Sequence, residues 1–129
     1  EDLQETMQSL VGIVRQESEM MEAYHRLQTY KERASRLGVS GHREYNGGWH
    51  TAIDVHNLLD VSEAITISAV ERKESRGGHF REDFPDKATE FGTINIAVRQ
   101  GAGDVMEIGR LPIPPIPDHL KQVIEEQKS

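Results

Sequence analysis

The stretch from about Trp49 to about Glu74 constrains the fold more than any other part of this 129-residue chain. It carries Ala52, Ile53, Val55, Leu58, Leu59, Val61, Ala64, Ile65, Ile67, Ala69 and Val70, and reads as one long helix. These positions do not keep to one narrow stripe. A helix that is apolar on more than one side has to be buried on more than one side. Partner helices within the chain are expected to cover part of it, and a surface from outside the chain the rest.

The partners lie just upstream. Residues 2–15 place Leu3, Met7, Leu10, Val11 and Val14 at helical spacing on one face. Ser18 is positioned to cap a second helix, whose inner stripe is Met20, Met21, Tyr24, Leu27, Tyr30, Ala34 and Leu37 and whose stop is Gly38. A loop over 38–48 follows, and Gly77-Gly78 are read as the end of the third helix. Beyond it, Thr93–Arg99 and Asp104–Ile108 alternate with period two around Gly101-Ala102-Gly103, which predicts a β-hairpin. A lone hairpin is marginal in water, so it is expected to lean on the helices. Leu111–Pro117 then holds four prolines and predicts an extended strap. The tail from Asp118 to Ser129 reads as either a short helix capped by Asp118 or a disordered end. The chain is thus mainly α, with three helices and a docking loop in 1–90 and a hairpin, proline-rich strap and tail in 91–129.

Charge and composition exclude several functions. With 15 Lys+Arg against 22 Asp+Glu the net charge is -7, which argues against a nucleic-acid partner. The absence of cysteine removes disulfides, thiolate metal sites and thiol catalysis. No apolar run approaches the about 18–20 residues that cross a bilayer, so direct membrane insertion is not expected. The chain opens with Glu1 and runs straight into a helical pattern, which predicts a natural N-terminus further upstream.

The densest cluster of functional groups is Arg72-Lys73-Glu74-Ser75-Arg76-Gly77-Gly78-His79-Phe80-Arg81-Glu82-Asp83-Phe84-Pro85. Cations at a helix C-terminus complement its dipole, so a solvated helix end explains part of it. A docking loop explains it equally, because Arg76 and Arg81 can each grip carboxylates or backbone carbonyls in a bidentate way, with Glu74 and Asp83 fixing the guanidinium groups. His50 and His56 are six residues apart, the wrong spacing for a shared helical face, so a metal site is not expected. His25 and His119 read as surface residues, and Trp49 as an apolar cap on the bundle. Gly101-Ala102-Gly103 lacks the following helix and third glycine of a phosphate-binding turn, and no serine sits in a nucleophile elbow.

The segment 72–85 resembles the R-x-E-S-R-G-x-H-x-R-x-D-[FY] run of succinate dehydrogenase and fumarate reductase flavoproteins. Leu3-Gln4-Glu5-Thr6-Met7 with Gly12-Ile13-Val14-Arg15 is similar to the first helix of their C-terminal domain. Tyr45-Asn46-Gly47-Gly48-Trp49-His50, then Asp54 and Asn57-Leu58-Leu59, resembles the approach to its third helix; Gly47 replaces an expected proline in a turn. The resemblance covers nearly the whole chain. L-aspartate oxidases share the E-S-R-G run but lack an arginine two places after the histidine, so Arg81 favours the dehydrogenase/reductase branch.

The resemblance implies a three-helix, up-down-up, spectrin-repeat-like domain that follows a flavin-binding domain and its capping domain. It implies an enzyme that interconverts succinate and fumarate at FAD and passes electrons to an iron–sulfur subunit, at the cytoplasmic side of a membrane held by partner subunits. The catalytic and flavin-linking residues of that family lie in the earlier domains. No catalytic, cofactor or metal residue is therefore assigned here, and the chain alone is expected neither to bind FAD nor to oxidise succinate. Arg72, Glu74, Ser75, Arg76, Gly77, Gly78, His79, Arg81 and Asp83 are assigned to docking against the flavin domain or the iron–sulfur subunit. Removal of those neighbours would expose apolar surface, which allows the isolated chain to form a homodimer. Two alternatives stay open: the matching domain of L-aspartate oxidase, and a free-standing helical interaction module.

Overall fold

The computed structural model describes residues 1–42 and 44–127 and places helices at Asp2–Leu10 (α1), Glu17–Ala34 (α2), Gly47–Glu71 (α3) and Asp118–Glu126 (α4). Residues 128 and 129, the end of the expected tail, lie outside the described residues. Short strands occupy Val14–Arg15 (β1), Phe80–Arg81 (β2), Ile94–Gln100 (β3) and Met106–Pro112 (β4). The chain is mainly helical, with one two-stranded antiparallel sheet and one very short parallel pair.

α1 stops at Leu10, five residues before the end of the periodic pattern. One reason is local and one is long-range. A Cβ on Gly12 would lie 2.8 Å from the Gln8 carbonyl oxygen, so the backbone there packs in a way only glycine permits. The chain then straightens into β1, which pairs in parallel with β2 in the register Val14 to Phe80 and Arg15 to Arg81. The Phe80 N–H donates to the Ile13 carbonyl at 3.1 Å, and the Glu82 N–H to the Arg15 carbonyl at 2.9 Å. A run read as helix is therefore captured by a segment more than sixty residues away in sequence.

α2 begins at Glu17 behind Gln16, not behind a Ser18 cap, and ends at Ala34. Its buried face is Met20, Ala23, Leu27 and Ala34. α3 starts behind Asn46, whose side chain accepts the Gly48 N–H at 3.1 Å, an ordinary N-cap contact. Leu59, Ser62, Glu63, Thr66 and Ala69 form its buried stripe, while Leu58, Val61 and Ile65 are exposed. Leu27, Ala34 and Leu59 form the centre of the apolar core, with Leu3, Met7, Tyr30 and Val55 packed around them. Its buried polar groups are paired: Thr6 with the Tyr30 hydroxyl (3.0 Å), Thr66 to the Ser62 carbonyl (2.8 Å), and Glu63 with Gln28 (2.9 Å) and Lys31.

α3 ends at Glu71, not at Gly77-Gly78. The hairpin runs antiparallel from Ile94 opposite Pro112 to Gln100 opposite Met106. It is tied to the end of α3 by the Arg110 guanidinium on the Glu71 carboxylate at 2.7 Å. Residues 113–117 take no regular structure. α4 starts at Asp118 behind Pro117, and its Leu120, Val123 and Ile124 are all exposed.

Candidate functional site

The 72–85 segment folds back on itself as a knot at the end of α3. Arg76 and His79 exchange two backbone hydrogen bonds, 2.8 and 3.1 Å, across Gly77-Gly78. Gly77 takes φ +61°, as the first central residue of a tight two-residue turn requires. The two glycines therefore make this turn and do not terminate the helix. The Ser75 hydroxyl accepts the Arg81 N–H at 2.8 Å and donates to the Phe84 carbonyl at 2.9 Å, which closes the second half of the loop.

Arg81 is the centre of the knot and has no exposed surface. All five of its N–H donors are used. Nε donates to Asp83 at 2.6 Å, Nη2 to Glu17 at 2.9 Å and also to Asp83, and Nη1 to the carbonyls of Ala69 and Val70 at 3.2 Å each. Those carbonyls belong to the last turn of α3, where no intrahelical donor exists. One guanidinium thus caps α3, anchors the start of α2 through Glu17 and fixes its own loop. Its face stacks on Phe84, 5.0 Å from the ring centroid. The Asp83 hydrogen bonds raise its pKa further, so the charge is permanent.

Glu74 forms a second centre, equally buried. It accepts from Arg76 Nε (2.8 Å) and Nη2 (3.1 Å), Arg72 Nη1 (2.6 Å) and the Ala88 N–H (2.9 Å). The Arg76 bonds, joined by Arg72 and the Ala88 N–H and opposed by burial, hold its pKa at about 2. Arg72 also donates to the Phe91 carbonyl at 3.1 Å and lies over the Phe91 ring, which links the knot to the base of the hairpin.

His79 joins the third group. Its Nε2 bonds the Arg72 carbonyl at 3.0 Å and its Nδ1 faces Arg15 Nη1 at 2.6 Å. A carbonyl needs a donor and a guanidinium needs an acceptor, so the ring is neutral with its proton on Nε2. Burial lowers its pKa, and the charges of Arg15, Arg81 and Arg72 add to that against the Arg72 carbonyl bond.

Of the residues assigned to docking, the structure buries Glu74, Ser75 and Arg81, half-buries Arg72 and His79, and leaves Arg76, Gly77, Gly78 and Asp83 at the surface. It ties seven of them together by hydrogen bonds, and Gly77 and Gly78 form the turn between Arg76 and His79. It adds Arg15, which the sequence marked only as the end of the Gly12–Arg15 run that resembles the family, and Glu17, which the sequence did not mark. Arg15 apart, the charged groups of the network pair with one another and with backbone. Among the described residues no group of three or more His, Asp or Glu is placed to hold a metal.

Neither the 101–103 turn nor the start of α2 is built to seat a flavin phosphate. Gly101-Ala102-Gly103 closes an antiparallel hairpin and so offers no strand-to-helix turn for a pyrophosphate. The first turn of α2 carries Glu17 and Glu19, which repel phosphate.

Residues 1–117 match the family model described as fumarate reductase flavoprotein C-term. The fumarate reductase flavoprotein subunit of Mycobacterium tuberculosis is 31% identical over 113 residues, covering 87% of this chain and 19% of that protein. An L-aspartate oxidase from Acinetobacter baylyi is 33% identical over 105 residues, covering 78% and 18%. The solved Mycobacterium smegmatis Sdh1 complex in the apo form superposes with a TM-score of 0.80 at 41% identity, covering 91% of this chain and 20% of that one. The chain spans about a fifth of the length of the curated relatives it matches.

Proposed function

We propose, because this chain belongs to the family of fumarate reductase flavoprotein C-terminal domains, that it is the structural and docking domain of a flavoprotein that interconverts succinate and fumarate at FAD. The flavin-binding and capping domains of the same polypeptide are its immediate neighbours. An iron–sulfur subunit takes the electrons, and membrane subunits hold the assembly at the inner face. No described helix is long and apolar enough to cross a membrane. α1, α2 and α3 act as an up-down-up bundle of spectrin-repeat type over residues 1–90, with the β3–β4 hairpin packed at the end of α3 and the proline strap and tail following it.

The observation that carries this reading is the placement of the 72–85 knot. It fixes β1 and β2 beside the end of α3, where Arg15 meets a groove along Val61 and Ile65; Leu58, Val61 and Ile65 are exposed on α3, and Ile13, Val14 and Phe80 are exposed on and beside the two strands. Such exposed apolar surface is suited to contact with a partner, and it would also allow the chain alone to self-associate. Docking then falls to that surface and to the exposed Arg76, Gly77 and Gly78 at the tip, with Arg72, Glu74, Ser75, His79, Arg81 and Asp83 holding the shape. The test is Val61→Glu in the full-length flavoprotein. Loss of assembly and succinate oxidation, with the helical content of the chain unchanged, supports the reading; wild-type assembly and turnover sink it. The similarity to an L-aspartate oxidase favours a second reading as the equivalent domain of a soluble oxidase. Turnover of succinate against L-aspartate by the full-length protein separates the two.

A further inference from the structure

The knot balances its charges, with one exception. Arg72 and Arg76 share Glu74, and Arg81 takes Glu17 and Asp83. Arg15 donates to the carbonyls of Gly12 (2.6 Å) and Val11 (3.3 Å) and to His79 Nδ1 (2.6 Å). Among the described residues no carboxylate forms an ion pair with it, although the chain as a whole carries a surplus of acids. Three of its five N–H groups are used, which leaves two for another acceptor. Arg15 is half-buried, and both burial and the nearby Arg81 charge act against its cationic form. A partly buried, uncompensated cation is costly and persists where something pairs with it.

What lies beside it narrows the partner. Arg15 and Arg72 stand at one end of a groove of about 450 Å³ whose floor is Val61, Ala64, Ile65, Ser68 and Ala69. The Arg72 guanidinium turns away to Glu74 and Phe91, so Arg15 supplies the charge there. A single guanidinium at the end of an apolar groove matches one carboxylate on an otherwise apolar protein surface, gripped through the two remaining donors.

We propose that Arg15 receives an aspartate or glutamate from the part of the polypeptide preceding Glu1, and that this ion pair registers that part on the exposed face of α3. The source follows from the chain itself, given the reading above as one domain of a longer flavoprotein. The chain covers only 19% of its mycobacterial relative, and α1 leads from Glu1 directly to Ile13–Arg15. A covalently tethered neighbour is present at an effective concentration of roughly millimolar, far above that of a free competitor.

The test uses the full-length flavoprotein carrying Arg15→Lys, treated with a carbodiimide and mapped by peptide mass spectrometry. The reagent activates a carboxyl group, the lysine nitrogen attacks the carboxyl carbon, and the oxygen leaves on the urea product, so only a touching pair is joined. The expected result is a cross-link from position 15 to an acid upstream of Glu1, at least about tenfold above an Arg36→Lys control. Cross-links confined to residues 1–129, or none, overturn the proposal. Hydroxyl-radical labelling of Val61 and Ile65 in the same protein and in the 1–129 chain separates the two failures. Protection in the full-length protein without the cross-link overturns the ion pair and leaves docking intact, and absence of both overturns the two together. If Arg15→Lys does not fold, phenylglyoxal modification of the wild type serves instead. Arg15 should react at least about tenfold more slowly than Arg36, and equal rates refute the pair.

Discussion

Replacing Arg81 with methionine isolates what the guanidinium does, because methionine keeps most of the buried stem and removes the fork. The substitution takes the donors from the Ala69 and Val70 carbonyls, and each buried acceptor left unpaired costs about 1 kcal/mol or more. It also strips Asp83 and Glu17 of their partner. Their side chains keep 32% and 44% exposure, so water recovers part of that loss and the pairs are discounted toward the surface value of about 0.5–1 kcal/mol each. The expected total is about 3 kcal/mol, or roughly 10 °C in Tm for a domain of this size. Urea denaturation followed by far-UV circular dichroism reads it directly. Arg81→Lys should recover less than half, since one ammonium cannot serve two carbonyls and two carboxylates at once. Asp83→Asn should cost about 1 kcal/mol, because Glu17 still holds Nη2. An Arg81→Met midpoint within about 0.5 kcal/mol of wild type would refute the view that the knot holds α3 to α2.

Three further outcomes follow from the same geometry. Glu74 has a folded pKa near 2, below its ordinary value of 4.5, so its contribution is complete above about pH 4.5 and disappears as pH falls toward 2. Glu74→Gln should flatten the acid limb of the stability–pH curve over that window, and an unchanged limb would count against the pairing. His79 has its pKa lowered, so the unfolded chain binds a proton first. Stability should decline as pH drops below about 6.5, and NMR titration of the ring should give a value below that of a free imidazole. Gly77 and Gly78 both have open space where a Cβ would go, but only Gly77 has positive φ. Gly77→Ala should therefore cost about 1 kcal/mol through backbone strain alone, and Gly78→Ala within about 0.5 kcal/mol of nothing.

How much of this was legible depends on the range of the interactions. α2, α3 and the hairpin follow from periodicity, because their apolar faces repeat within a few residues. The end of α1 does not, since residues 11–15 satisfy the helical pattern and are pulled out of it by hydrogen bonds to residues 80 and 82. The end of α3 was misplaced for a related reason. Gly77-Gly78 looks like a stop signal, yet the helix has already ended at Glu71 and its last carbonyls are met by an arginine ten residues further on. The 72–85 composition marked the site, and the resemblance supplied its family. Neither could say that Arg81, Glu74 and Ser75 face inward, because a bidentate arginine serves a partner surface and a helix end equally well.

The balance of buried and exposed groups gives that inward turn its meaning. The fully buried apolar set is Val11, Met20, Ala23, Leu27, Ala34, Leu59, Ala69 and Phe91, and three of these are alanines. Against it stand Thr6, Ser62, Glu63, Thr66, Glu74, Ser75 and Arg81, all buried and polar. Polar groups of this kind contribute little net stability when paired but penalise every arrangement that leaves them unpaired. The knot thus selects one register of β1, β2 and the helix ends and leaves much of the burial to other surfaces. Leu58, Val61 and Ile65, exposed on the flank of α3 beside its core stripe, are where further burial can be gained at about 25 cal/mol per Å² of apolar surface covered. On the docking reading proposed above, a chain built this way gains further stability against a neighbour. Denaturation of the full-length protein should therefore melt this domain together with the preceding ones in a single transition, and a separate, lower transition for residues 1–129 would contradict that coupling.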